Sequence, residues 1–218
     1  MEITKKKSSV RQNMRVYFVS KRILDIVLSL CALAILSLVF LAVFIIDRFG
    51  ENKGPMFYKQ VRVGLHGKSF KIIKFRSMIV DADKKLRENT KLYQEYKDNN
   101  YKLPEGKDPR VTKVGSLLRK SSLDEIPQFI NVLKGEMSLI GPRPIVSEEL
   151  AEYGERTSEL LSVKPGAMGY WQATGRSNIG YPERCDIELY YVANQSFWFD
   201  VKIFFKNMIS IFKSDGAF

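Results

Sequence analysis

The sequence predicts an α+β fold, mostly helical. An N-terminal membrane helix, re-entrant in form, joins a compact cytoplasmic domain with a short β-hairpin and interfacial amphipathic helices. Three observations predict it. Residues 26–46 read IVLSLCALAILSLVFLAVFII, a run whose most polar members are Ser29 and Ser37. Residues 54–78 alternate short apolar and basic segments around the turn signals Gly54-Pro55 and Gly64-Leu-His-Gly67. Several later segments, ending with SFWFDVKIFFKNMISIFK, carry apolar and charged residues at helical spacing.

The apolar run comes first. About 20 such residues suffice to cross a bilayer core as a helix. The run is too long for a signal peptide, and no small-residue cleavage pattern follows it. A fully buried core helix is the competing reading. Lys5, Lys6, Lys7, Arg11, Arg15, Lys21 and Arg22 precede the run; Arg48, Lys53, Lys59, Arg62, Lys68, Lys71, Lys74 and Arg76 follow it. Positive charge marks the cytoplasmic side, so a single pass cannot satisfy both flanks. A helix that bends and returns to the same face can. Such a bend usually rests on a helix break, often proline. The run has no proline, and a Ser37 hydroxyl bonded to the carbonyl four residues back is the bending device at hand. The chain divides into a basic leader (1–20), the membrane helix (21–49) and the cytoplasmic domain (50–218).

The remaining elements follow in order. Two strands in 54–78 form a hairpin, with His66 in its exposed turn. Ile79 to Lys97 has helical charge spacing and reads as one surface helix. NNYKLPEGKDPR (99–110) is a polar loop, and Val114 to Lys120 a short amphipathic helix. A helix opens near Ser122 and runs to Lys134, because Pro127 is tolerated only in a first turn. Glu148 to Leu161 is another helix; VKPGAMGYWQATGR is irregular. In the C-terminal helix, 196–213, Lys202, Lys206 and Lys213 share a narrow arc. The opposite half is filled by Trp198, Val201, Phe204, Phe205, Met208, Ile209, Ile211 and Phe212, a wide aromatic face beside a lysine stripe. Such a helix lies in a membrane interface or packs on the core, and a second copy of the chain could cover the same face.

Composition narrows the function. A net charge of +11 over 218 residues points to anionic partners: nucleic acid, a membrane surface or phosphorylated substrates. The single histidine, His66, argues against histidine triads and histidine-rich metal sites. Cys31 and Cys185 form neither a disulfide framework nor a zinc spacing, which fits a reducing cytoplasmic setting.

The most informative stretch is LLRKSSLDEIPQFINVLKGEMSLIGPRP, residues 117–144. Asp124 and Glu125 stand at the start of the predicted helix. One reading is structural: Ser122-Leu-Asp-Glu125 is a capping box, and carboxylates favour that end of the helix dipole. The other is chemical. Neighbouring residues on a helix point about 100° apart, so one acid can cap while the other faces a cavity. Arg119 just before the pair and Arg143 in the rigid Gly141-Pro-Arg-Pro144 turn carry forks that match phosphate oxygens. A carboxylate, phosphate-binding arginines and a magnesium ion can together carry out phosphoryl transfer.

These residues resemble the bacterial sugar transferases, the monotopic phosphoglycosyl transferases. The likeness extends from Lys21-Arg22-Ile-Leu-Asp25 through FYKQVRVG, FKIIKFRSM, DPRVTKVGSLLRKSSLDEIPQFINVLKGEMSLIGPRP, VKPGAMGYWQATGR and YYVANQSFWFDVKIFF. The resemblance implies transfer of a sugar 1-phosphate from a UDP-sugar donor to undecaprenyl phosphate, in the assembly of exopolysaccharide, capsule or O-antigen. It implies Asp124 as nucleophile, Glu125 as its assistant, and Mg2+ at Asp124. Lys74, Arg119 and Arg143 match positions that hold phosphate, and Gln172 and Arg176 the nucleotide-sugar side. It also implies a bacterial inner (plasma) membrane location with the catalytic domain on the cytoplasmic face, and lipid rather than nucleic acid as partner. Two positions depart from the family pattern: Ser37-Leu38 stands where Ser-Pro is frequent, and Glu188 where aspartate is. Gly-Tyr-Trp-Gln at 169–172 leans toward galactose or glucose. The competing reading is a membrane-tethered basic protein that binds nucleic acid or an anionic polymer.

Overall fold

In a computed structural model, residues 2–98, 103, 106, 108–175 and 179–213 are described. The polar loop expected at 99–110 lies mostly outside them. The chain is mostly helical with two small sheets. Helix α1 (Glu2–Ile35) is followed by α2 (Ser37–Ile46). No single described helix is long and apolar enough to cross a membrane; Met14–Ile35 and Ser37–Ile46 meet that test together, bent by 52°.

The bend comes without proline. The chain breaks at Leu36 (φ −88°, ψ 8°), one residue before the expected Ser37 device. The cause is visible in the packing. Leu33, Leu36, Val39 and Phe40, together with buried Val43, lie against Phe75, Leu118 and Ile126 of the following domain. Contacts on both sides of the break therefore pull α2 onto the domain.

The Lys21–Asp25 stretch docks α1 onto the domain. Asp25 Oδ1 accepts the Leu139 N–H at 2.9 Å and the Ser138 hydroxyl at 3.1 Å. The Arg22 guanidinium donates to the carbonyls of Val132 (2.6 Å) and Leu133 (2.8 Å), closing the C-terminus of a helix where carbonyls lack internal partners. Lys21 pairs with Asp200 at 2.5 Å, and Asp200 also accepts from Tyr17 and Tyr191.

The predicted hairpin is present. Strands β1 (Phe57–Val63) and β2 (Ser69–Phe75) pair antiparallel, Tyr58 opposite Lys74 and Arg62 opposite Phe70. His66 sits exposed in the turn between them, at φ 55°.

Beyond the hairpin four expectations change. The helix expected from Ile79 to Lys97 is two, α3 (Ala82–Glu88) and α4 (Thr90–Asp98), joined at Asn89 in extended conformation. After α5 (Lys113–Lys120), the helix expected from Ser122 starts as a 3-10 turn, Leu123–Glu125, and becomes α6 (Gln128–Lys134) only after Pro127. The segment expected as a helix from Glu148 to Leu161 is a 3-10 stretch, Ser147–Arg156, broken at Gly154 (φ 52°), followed by α7 (Thr157–Leu160). The segment expected as irregular holds β4 (Gly166–Met168), parallel to β3 (Ser138–Ile140), and α8 (Tyr170–Thr174). Short-range patterns miss β3 and β4 because each is three residues long and they pair across a wide sequence gap. Gly141 and Gly166 allow the close approach there: a Cβ on Gly166 would stand 2.1 Å from the Gly141 nitrogen.

Helices α9 (Glu183–Asn194) and α10 (Phe197–Lys213) complete the chain. The main core gathers Phe70, Ile72, Val132, Met137, Leu139, Ile140, Tyr191 and Ile203. Helix α10 buries Ile203 and Asn207 and leaves Trp198 (78%), Phe205 (59%) and Ile209 (54%) exposed. Core packing and an uncovered aromatic face thus coexist on one helix.

Candidate active site

The site is built where the hairpin, the turn before α6 and the Gly141–Pro144 turn meet. Asn131 of α6, fully buried, fixes the first two together. Its Oδ1 accepts the Ile73 N–H at 2.9 Å, and its Nδ2 donates to the Lys71 carbonyl at 2.8 Å. Helix α6 is thereby stapled to β2 along the backbone that carries Lys74. Gly115 brings α5 equally close: a Cβ there would lie 1.8 Å from the Ser77 carbonyl oxygen. That contact sets Arg119 beside Ser77, whose hydroxyl accepts from Arg119 Nε at 2.9 Å.

The expected capping box is not formed. Ser122 adopts the left-handed region (φ 56°, ψ 15°) and its side chain makes no cap hydrogen bond. Glu125 turns instead to Lys74, Nζ to Oε1 at 2.6 Å. A non-glycine residue at positive φ is costly and persists where surrounding structure holds it. Here it delivers two adjacent acids into an environment of cations.

The two acids differ. Asp124 is 9% exposed, and its pKa is pushed up to about 6 by burial and the Glu125 charge, against the pull of Lys74 and Arg119. Glu125 is opposed by burial too, yet the charges of Lys74 and Arg143 and the Lys74 and Gln128 hydrogen bonds hold it below its ordinary value. The pair titrates as a unit. Near neutral pH Glu125 is a stable anion, and Asp124 is an ionised carboxylate of raised basicity, which suits a nucleophile.

A shallow, solvent-open cleft lies beside this pair, lined by Arg62, Ile72, Lys74, Glu125, Gln128, Arg143, Pro144, Gly166, Ala167 and Gln172. Of the residues singled out from sequence, Lys74, Glu125, Arg143 and Gln172 therefore meet in one cleft. Asp124 and Arg119 are not among the lining residues; Asp124 adjoins Glu125 in the chain, and the Arg119 charge acts on Asp124. Arg176 lies outside the described residues. Gln172 accepts the Gly169 N–H at 2.6 Å, so its orientation is fixed by the start of α8.

Arg62, Gln128 and Glu188 were missed as contributors by sequence reasoning. Arg62 had a signal. In a hairpin, residues opposite one another share a face, and the register puts Arg62, Gln60 and Tyr58 on the face of Phe70, Ile72 and Lys74. Arg62 donates to the Pro144 carbonyl at 3.2 Å and lies 3.5 Å from Glu149. Glu188 stands out in the sequence only as a glutamate where the family pattern frequently has aspartate; it acts from α9 on the backbone of Arg143.

Among the described residues, no group of three or more His, Cys, Asp or Glu side chains could hold a metal alone. The donor set present is one or two carboxylates beside a cationic cleft. Magnesium is commonly held in that way when substrate phosphates supply further oxygens, so the residues fit such an ion.

Comparison with known proteins follows the same lines. Residues 16–214 match the family model described as bacterial sugar transferase. An uncharacterized sugar transferase of Haemophilus influenzae is 43% identical over 91% of this chain and 42% of its own length. An undecaprenyl-phosphate galactose phosphotransferase of Salmonella typhimurium is 42% identical over 91% of this chain and 41% of its own length. The exopolysaccharide production protein ExoY of Sinorhizobium fredii is 40% identical over 92% of this chain and 88% of its own length. The chain thus spans about two-fifths of the first two relatives and most of the third.

Proposed function

From the premise that this chain belongs to the bacterial sugar transferase family, we propose that it is a phosphoglycosyl transferase. It moves a sugar 1-phosphate from a UDP-sugar to undecaprenyl phosphate and releases UMP. The observation that carries this reading is the buried Asp124 with the half-buried Glu125 set against Lys74, and Arg143 and Arg62 lining the adjoining cleft. The sugar is a hexose, with galactose or glucose favoured; the name of the Salmonella relative joins undecaprenyl phosphate with galactose.

The chemistry follows from the residues. The diphosphate binds among Lys74, Arg62 and Arg143, whose fixed charges meet the negative charge that develops as its bridge breaks. Asp124 attacks the sugar-bearing phosphorus, an Asp124 oxygen–phosphorus bond forms, and the bond from phosphorus to the bridging oxygen breaks to release UMP. The acceptor phosphate then attacks the same phosphorus and returns Asp124 as a carboxylate, giving the polyprenyl diphosphate sugar. Two displacements replace one harder step. Glu125, held ionised by Lys74, can accept a proton from the acceptor or orient it. Mg2+ at Asp124, when bound, would neutralise diphosphate charge. The bent apolar pair α1–α2 suits a lipid acceptor, and membrane attachment with the domain on the cytoplasmic face belongs to this proposal.

The test is UMP release from purified protein with undecaprenyl phosphate, Mg2+ and a panel of UDP-hexoses. One donor should yield UMP, and Asp124→Asn should abolish both turnover and covalent labelling by the donor. An Asp124→Asn protein with full turnover would remove Asp124 as nucleophile. Absence of UMP from every donor would sink the donor class.

A further inference from the structure

Glu188 is a buried acid that the proposed chemistry leaves without a task. It lies in the middle of α9, is 0% exposed and does not line the cleft. Both of its carboxylate oxygens accept the backbone N–H of Arg143, each at 3.2 Å.

The Gly141–Pro144 turn makes that bond consequential. Its two prolines carry no N–H, so Gly141 and Arg143 hold its only backbone donors. Gly141 donates to the Met168 carbonyl at 3.1 Å, and the Pro142 carbonyl accepts from Gly166 at 2.8 Å. Arg62 holds the Pro144 carbonyl at 3.2 Å. Among the described residues each residue of the turn is held by one backbone hydrogen bond, and at Arg143, whose guanidinium lies 5.6 Å over the Trp171 ring, that bond depends on Glu188.

Charged groups from three elements act on Glu188. Arg184 comes from the same helix, Arg143 from the turn, and Glu149 from the 3-10 stretch 147–156. Tyr153, from that same stretch, is 2% exposed and its hydroxyl lacks a hydrogen-bond partner. Burial pushes the Glu188 carboxyl up to about 7, while Arg184 and Arg143 pull it down and Glu149 adds to the rise.

We propose that Glu188 is a positioning residue: its carboxylate fixes the Arg143 backbone and thereby holds the guanidinium in the cleft beside Lys74 and Glu125 for the donor diphosphate. The inference rests on the donor class proposed above. It makes donor affinity fall as pH drops through neutrality, because the protonated carboxyl is a weaker acceptor for the Arg143 N–H.

The test uses the full chain in detergent, with Asp124→Asn as parent so that binding is read without turnover and the Asp124 titration is removed. UDP-galactose and UDP-glucose serve as probes, since a doubly esterified diphosphate has no proton to lose in this range. The parent should bind at least one probe about tenfold more weakly at pH 6 than at pH 8, the loss expected for weakening one charge-assisted hydrogen bond. Adding Glu188→Gln should weaken binding at pH 8 by about tenfold and flatten the pH dependence. In an Arg143→Ala background the same change should alter affinity less than about twofold, because the two residues act through one path. Equal losses in both backgrounds, or wild-type affinity in the Glu188→Gln protein, would overturn the inference and leave the donor class standing. Should Glu188→Gln fail to melt cooperatively, the parent decides: flat affinity between pH 6 and 8 overturns it. If neither probe, nor any other UDP-hexose of the panel above, binds the parent, the donor class itself fails.

Discussion

Replacing Lys74 with methionine should lower the plateau of catalysis, because a cation at the diphosphate is lost, and should also move its acid limb. Lys74 is the strongest cause lowering Asp124 and Glu125 toward their charged forms, and its ammonium sits 2.6 Å from Glu125. At an effective dielectric of about 20, a unit charge several ångströms away contributes on the order of 3 kcal/mol, about two pKa units. The Lys74 side chain is 21% exposed, so solvent screening reduces this to about one to two units. Asp124, now at about 6, would then titrate between about 7 and 8. At pH 7 its ionised fraction falls from roughly nine-tenths to between a half and a tenth, which adds a pH-dependent loss of about two- to tenfold in kcat to the pH-independent loss of a cation at the diphosphate. The sign is definite: a nucleophile whose pKa rises loses activity on the acid side and regains it as pH climbs. UMP release between pH 5 and 9.5, with a melting curve at each pH, reads the shift. An acid limb that stays near pH 6 would refute the reasoning, as would a loss of equal size at every pH.

Three further expectations concern the scaffold. Gly115→Ala places a Cβ 1.8 Å from the Ser77 carbonyl, so α5 must separate from the end of β2; a loss of about 3 kcal/mol or more in urea unfolding is expected, and an unchanged midpoint would contradict the contact. Asp25→Ala leaves the buried Leu139 N–H without a partner, worth about 1–3 kcal/mol, and should speed proteolysis of the α1–domain junction; protection equal to wild type would argue against docking through Asp25. Of the two tryptophans, Trp171 is 5% exposed and Trp198 78%. In proteoliposomes, brominated lipid should quench Trp198 and spare Trp171. Quenching of Trp198 by aqueous iodide instead would remove α10 from the membrane interface.

The exposed face of α10 corrects the sequence reading, which set the lysines opposite the apolar residues. Lys202 and Lys206 are exposed together with Trp198, Phe205 and Ile209, so the outward side mixes lysine and aromatic residues. That composition suits a headgroup region better than a hydrocarbon core. The face that packs inward is centred on Ile203 and Asn207, whose amide donates to the Gly169 carbonyl at 3.1 Å. Helix α10 therefore also buttresses the start of α8, which carries Gln172.

Much of this was legible in the residues. The apolar run, the hairpin between Gly54 and Met78, and the acid pair ahead of Pro127 follow from local rules of length, alternation and proline chemistry, which need no knowledge of neighbours. Lys74, Glu125, Arg143 and Gln172 were all named from the chain and meet in one cleft. Tertiary structure decided what depends on partners distant in sequence. The bend at Leu36 has no proline to announce it; it comes from Val39, Phe40 and Val43 packing on Phe75, Leu118 and Ile126. Ser122 and Glu125 satisfy a capping-box pattern, yet Lys74, 51 positions away, takes the Glu125 carboxylate. Glu188 reaches Arg143 across 45 positions, and β3 pairs with β4 only because two glycines let their backbones touch. Local sequence fixes what each segment can do alone, and the charge partners and close approaches that choose among those options exist only once the chain has closed.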